Sequence, residues 1–144
     1  MADTTHKAYT AAIASVLTTE LNSLANITAS GASAAIDNGT ALDLVADITV
    51  TVATQASARS AGATIVIYII QALDGTNYDD VNINCAAVFA TVPFDAATTA
   101  RQVSRANRDV PPGLFKLFAY NNTGQALAAS GNLLEIRYHS VKSV

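Results

Sequence analysis

From Ile27 onward apolar and polar side chains alternate with a period of two through segment after segment, and a chain patterned that way folds into strands with one covered face. The clearest stretch runs from Leu42 to Val52. Leu42, Leu44, Ala46, Ile48, Val50 and Val52 share one side, and Asp43, Asp47, Thr49 and Thr51 the other, interrupted by Val45. Ala63 to Leu73 is apolar on both sides, with Ile65, Ile67 and Ile69 opposite Val66, Tyr68 and Ile70. Antiparallel strands usually keep one face in water, so its second face should be covered by an N-terminal arm or a second subunit. Val81, Ile83 and Cys85 alternate with Asn82 and Asn84, and Val88 to Val92 extends to Pro93, which marks an edge or a strand end. Leu114 to Tyr120 sets Phe115 and Leu117 against Lys116, Phe118 and Tyr120. In Asn132 to Val141, Leu134, Ile136 and Tyr138 point inward and Glu135, Arg137 and His139 outward. Arg101 to Val110 is the poorest strand, and its three arginines suit a solvated edge.

Turn chemistry separates these segments. Asp74-Gly75 supplies the positive φ that tight hairpins need, Pro111-Pro112-Gly113 stops the chain, Asn121 to Gly124 is a further turn, and Asp95 to Ala100 is a small polar loop. About seven short strands without interleaved helices predict an all-β fold, an antiparallel β-sandwich or barrel over residues 27–144. Periodicity does not separate a jelly roll from an immunoglobulin-like sandwich.

Residues 1–26 read differently. Tyr9, Ile13, Val16, Leu17, Leu21 and Leu24 recur at three- and four-residue spacing, as on one helix face, while the polar start from Ala2 to Lys7 has nothing to bury. The segment is expected to be a helix capping the sandwich or an extended arm reaching a neighbouring subunit. On that reading its removal through residue 24 leaves the sandwich folded, whereas Val50→Asp unfolds it.

Charge narrows the partners. Only 13% of the 144 residues are charged and 51% are hydrophobic, against a usual charged share of about 25%. The exterior must then be rich in Thr, Ser, Asn and Ala, which lose water at little cost under another protein. A net charge of −3 with eight Lys plus Arg offers no basic stripe for nucleic acid. The apolar run Ile65 to Ile70 is far short of the ~20 residues of a membrane helix. No signal peptide is read, so a soluble protein without a secretion address is expected.

Nothing in the motifs points to catalysis. The lone Cys85 reads as a small buried side chain, His6 lies in the arm, and His139 sits on a solvent face, so neither histidine is placed as a catalytic base. There is no nucleophile elbow, phosphate loop or dinucleotide fingerprint, and no cofactor is expected. Asp74, Asp79, Asp80 and Asn77 crowd one turn and could ligate calcium, but such residues usually serve local backbone bonds. Tyr68, Tyr78 and Tyr120 could stack a sugar ring if they converged.

Four segments carry a resemblance. Leu17-Thr-Thr-Glu-Leu-Asn-Ser-Leu-Ala-Asn26, Ala35-Ile-Asp-Asn-Gly-Thr-Ala-Leu-Asp-Leu44, Gln71-Ala-Leu-Asp-Gly-Thr-Asn-Tyr-Asp-Asp80, and Pro111 to Leu117 with Asn121 to Gly131 are each weak alone. Together, over roughly residues 17–138, the chain resembles small structural proteins of tailed bacteriophages. Gln71 departs from the proline expected before Ala-Leu-Asp-Gly. The resemblance implies a jelly roll serving as capsid decoration or cement, with no catalytic residues to carry over.

The expectation is a virion protein on the capsid surface, made in the bacterial cytoplasm, binding the major capsid protein and forming a homo-oligomer. Its candidate interface is Tyr9, Ile13, Val16, Leu17, Leu21, Leu24, Tyr68 and Ile70. The second reading is a tail or fibre module that binds a receptor carbohydrate.

Overall fold

The computed structural model describes residues 5–143, with side chains placed for residues 8–140. Ten strands follow in order: β1 (Thr5–Tyr9), β2 (Ala14–Leu17), β3 (Thr28–Ala29), β4 (Ile36–Asp37), β5 (Val45–Val52), β6 (Thr64–Gln71), β7 (Ala87–Pro93), β8 (Arg101–Asp109), β9 (Leu114–Asn122) and β10 (Leu133–Ser143). The first sheet runs β1-β10-β5-β8, with β2 also on β10. The second runs β3-β9-β6-β7, with β4 also on β9. Every pair is antiparallel. With β1/β2 and β3/β4 each taken as one interrupted edge strand, the pairs nest: outermost with β10, next with β9, then β5 with β8 and β6 with β7. That nesting is a jelly roll, a long hairpin wrapped into two packed sheets.

The core lies between the sheets. Ala46, Ile48, Val50 and Val52 of β5 meet Ile65, Ile67 and Ile69 of β6, with Phe115 and Leu117 of β9 and Leu134 and Ile136 of β10. Each such Val, Leu, Ile or Phe side chain contributes about 1.5–3 kcal/mol when fully covered, which is why the alternation is kept so strictly along β5 and β6.

Several expectations fail at the ends of strands. Leu42 and Leu44 do not continue the inward face of β5. The Asn38 side chain accepts from the Asp43 amide and donates to the Asp43 and Pro111 carbonyls, so the connection before β5 turns Asp43 inward and both leucines out. No strand forms over Val81 to Cys85. Asn82 accepts from the amides of Asn84, Cys85 and Ala86, making a local turn that competes with any ladder, and Cys85 is exposed. His139 is buried, not solvent-facing.

No helix spans the N-terminal segment in the described residues. β1 and β2 pair with β10, and a single 3-10 turn at Thr19–Leu21 follows. That turn brings Leu17, Leu21 and Leu24 onto one side, which reproduces helical spacing without a helix. All three are in the core, so residues 14–26 belong to the sandwich. Residues 1–4 of the expected arm lie outside the described residues.

The second face of β6 is covered in part within the chain, where Val66 and Tyr68 stay half-buried. Ile70 and Phe118 are fully buried there, Tyr68 stacks on Phe118 at 5.1 Å, and the β6–β7 connection folds back through the Asp79 amide on the Gln71 carbonyl. The poorest predicted strand forms as β8, an exposed edge whose arginines keep it solvated.

Candidate binding surfaces

The eight expected interface residues separate into three groups. Leu17, Leu21, Leu24 and Ile70 are buried in the chain's own packing and present nothing to a partner. Tyr68 is half-buried against Phe118, and Val16 is half-buried in a shallow groove with Ser33, Ile36 and Tyr138. Tyr9 and Ile13 remain exposed, and the structure brings them to one trough on the outer face of the first sheet.

That trough is set by register. Glu135 of β10 lies opposite Thr49 of β5, which lies opposite Ser104 of β8; one step along, Arg137 lies opposite Asp47. These are the outward positions of strands whose other face is the core. The Thr49 and Ser104 hydroxyls are 2.8 Å apart and hydrogen-bonded. Tyr9 forms one wall: its hydroxyl donates to Asp47 Oδ2 at 2.9 Å, and the Arg137 guanidinium lies 3.8 Å from its ring centre. The Arg137 Nε donates to the Ala11 carbonyl. Opposite Asp47, β8 bulges, and the Asn107 amide at φ 54 donates to Asp47 Oδ1. His139 Nε2 sits 3.1 Å from the same oxygen, which places the ring proton on Nε2 when Asp47 is ionised. A lobe of about 200 Å³ lies on the Glu135 side, and another of about 240 Å³ on the His139 side.

The electrostatics favour an ionised Asp47 beside a neutral Tyr9 phenol. Burial works to raise the Asp47 carboxyl, but the Asn107 amide, the Tyr9 hydroxyl and His139 outweigh it, and its pKa ends below the ordinary 3.8. The hydrogen bond to Asp47, and then that carboxylate's charge, raise the Tyr9 phenol above 10.0. Nearby, burial followed by the charge of Asp43 pushes Tyr138 up to about 12.

A second surface lies at one end of the sandwich. Leu42 (59% exposed), Leu44 (63%), Leu73 (91%), Val81 (46%) and Val88 (58%) sit on or beside the β4–β5 and β6–β7 connections. Leu42 and Leu44 line a groove with Val110 and Pro112. The alternation hid this patch, since it assigned both leucines to the core.

Other candidates have local explanations. Asp74 accepts from the amides of Thr76 and Asn77, a turn function, and no group of metal-binding side chains occurs among the described residues. Tyr68 and Tyr120 share the outer face of the second sheet, but Tyr68 is spent on Phe118, and Tyr78 carries the Lys116 ammonium 4.2 Å from its ring centre. Arg101 pairs with Asp95, while Arg105 and Arg108 donate to the backbone carbonyls of Thr91 and Ala106.

No family model and no curated protein matches the chain. Among solved structures, one titled "CBM4 structure and function" aligns over 85% of this chain and 79% of its own, with 13% identity and a TM-score of 0.34. That likeness is too slight to bear on function. No helix among the described residues is long and apolar enough to cross a membrane.

Proposed function

We propose that this chain is a structural protein of a tailed bacteriophage particle, a capsid decoration or cement protein that binds the major capsid shell by protein contacts and performs no catalysis. The observation that carries the reading is the apolar end: Leu42, Leu44, Leu73, Val81 and Val88 stand in water on a chain with 13% charged residues. Large apolar side chains grouped on one end mark a surface that is covered in use. The sequence resemblance to small phage structural proteins supports the same reading, and repeated copies on a symmetric shell would add avidity to a modest contact.

Docking by this end replaces the expected clamp through Leu17, Leu21 and Leu24. A homo-oligomer on the capsid surface remains part of the proposal. The test is attachment of purified protein to phage particles lacking it. Wild-type protein should bind in a fixed ratio to shell subunits, and a Leu44→Asp, Leu73→Asp variant of unchanged melting temperature should not. Equal attachment of the two would refute docking by this end.

A further inference from the structure

We propose that the trough on the outer face of the first sheet is a binding site for a neutral saccharide unit, gripped by Glu135, Asp47 and the Thr49–Ser104 hydroxyl pair against the Tyr9 and Ile13 wall. It is independent of the capsid-docking reading, because the trough lies on the side of the sandwich and shares no residue with the apolar end.

The chemistry of the floor selects the ligand. Glu135 is half-buried and has no hydrogen-bond or ion-pair partner among the described residues, although Arg137 is two residues away on the same face. Arg137 is drawn off to the Tyr9 ring and the Ala11 carbonyl. An ionised carboxylate is an acceptor with about four lone-pair sites, so Glu135 seeks donors from outside the chain. Beside it, the Thr49 and Ser104 hydroxyls share one hydrogen bond, which leaves one hydroxyl proton and spare lone pairs for a ligand. Cross-strand neighbours on one face stand about 5 Å apart, close to the separation of the hydroxyl oxygens on opposite sides of a pyranose ring. A ligand matching this row presents several hydroxyls on one edge. Ile13 and Ala106 add apolar surface for its C–H face.

Other ligands match less well. A phosphate or carboxylate would face two carboxylates. A simple ammonium would satisfy Glu135 but leave the hydroxyl pair unused and would stand near the Arg137 guanidinium. The site is also pre-organised: the Tyr9 hydroxyl is tied to Asp47 at 2.9 Å and its ring is held by Arg137, so little side-chain freedom is lost on binding. The adjoining lobe beside His139 gives room for a second unit of a chain.

The test is nuclear magnetic resonance of the isotope-labelled full chain, titrated with the methyl glycosides of glucose, galactose, mannose and N-acetylglucosamine, and with methylammonium. At least one glycoside should shift the amides of Thr49, Ser104 and Glu135 with millimolar affinity. Glu135→Gln, a half-exposed change that leaves the fold intact, should weaken that glycoside about tenfold. Leu44→Asp should leave it unchanged, which separates this site from the docking end. No shift at these amides with any of the four glycosides, a response to methylammonium alone, or equal glycoside binding by Glu135→Gln would overturn the proposal.

Discussion

The two ends of the sandwich are built from opposite materials. At the far end, four connections are stitched by buried polar side chains. Arg59, with no exposed side-chain surface, donates to Gln55 Oε1, to Asp95 Oδ1 and to the carbonyls of Asp95 and Thr99. Asn121 donates to the carbonyls of Leu24 and Gln125 and accepts from Thr123, and Asn132 joins Ala53, Asn22 and Ala128. The near end has one comparable device, Asn38, and otherwise leaves five large apolar side chains in water. The stitched end holds the fold together and exposes one large apolar side chain, Ile27, whereas the other end exposes five that the isolated fold does not use.

Breaking the stitched end should unfold or weaken the protein, and the largest effect comes from the chain itself. Deleting residues 1–24 removes Leu17, Leu21 and Leu24 from the core and leaves the Asn121 amide without the Leu24 carbonyl. The product should show no cooperative melting transition, whereas deletion through Tyr9 should melt cooperatively as a jelly roll. Arg59→Ala comes next. It strands four acceptors and opens a void, and chemical denaturation should show a loss of about 3 kcal/mol. Gly124→Ala follows, at about 2 kcal/mol, because φ is +83 and a Cβ there would overlap the Ser60 side chain.

Smaller effects sharpen the contrast. Hydrogen bonds from Arg59, and then Arg101, hold the Asp95 carboxyl below its ordinary 3.8. A lowered folded-state pKa gives stability that is present above the unfolded value and lost as pH falls through the folded one. Asp95→Asn should therefore flatten the acid side of the stability curve below about pH 4 and leave its shape near neutrality unchanged. Leu44→Asp at the other end should change stability by no more than about 0.5 kcal/mol, since the side chain is already in water.

Much of this fold could be read from the chain because a two-residue period follows directly from burial. β5, β6, β9 and β10 each show it, and the core members Ile48, Val50, Ile65, Ile67 and Leu134 fall where alternation puts them. What could not be read comes from side chains acting across long sequence separations. Asn38 reverses the facing of Leu42 and Leu44 through two bonds with Asp43, and a third to the Pro111 carbonyl ties that turn to a segment 73 residues away. His139 keeps its outward register but is buried there, bonded to Asp47 from 92 residues away and covered by the Tyr9 ring. Arg59 looks like an ordinary loop arginine until Asp95 and Thr99 close around it. The trough was half legible: Asp47, Thr49, Glu135 and Arg137 were recognisable as outward positions, while Tyr9 and Ile13 were hidden behind a spacing that mimics a helix.

Imaging the protein in place on purified phage particles separates the two ends in one experiment. Density should show the sandwich repeated over the shell with Leu42, Leu44, Leu73 and Val88 against the capsid protein and the Arg59 end pointing away. A sandwich seated by the Arg59 end, or particles that carry none of it, would contradict the division of labour drawn from the structure.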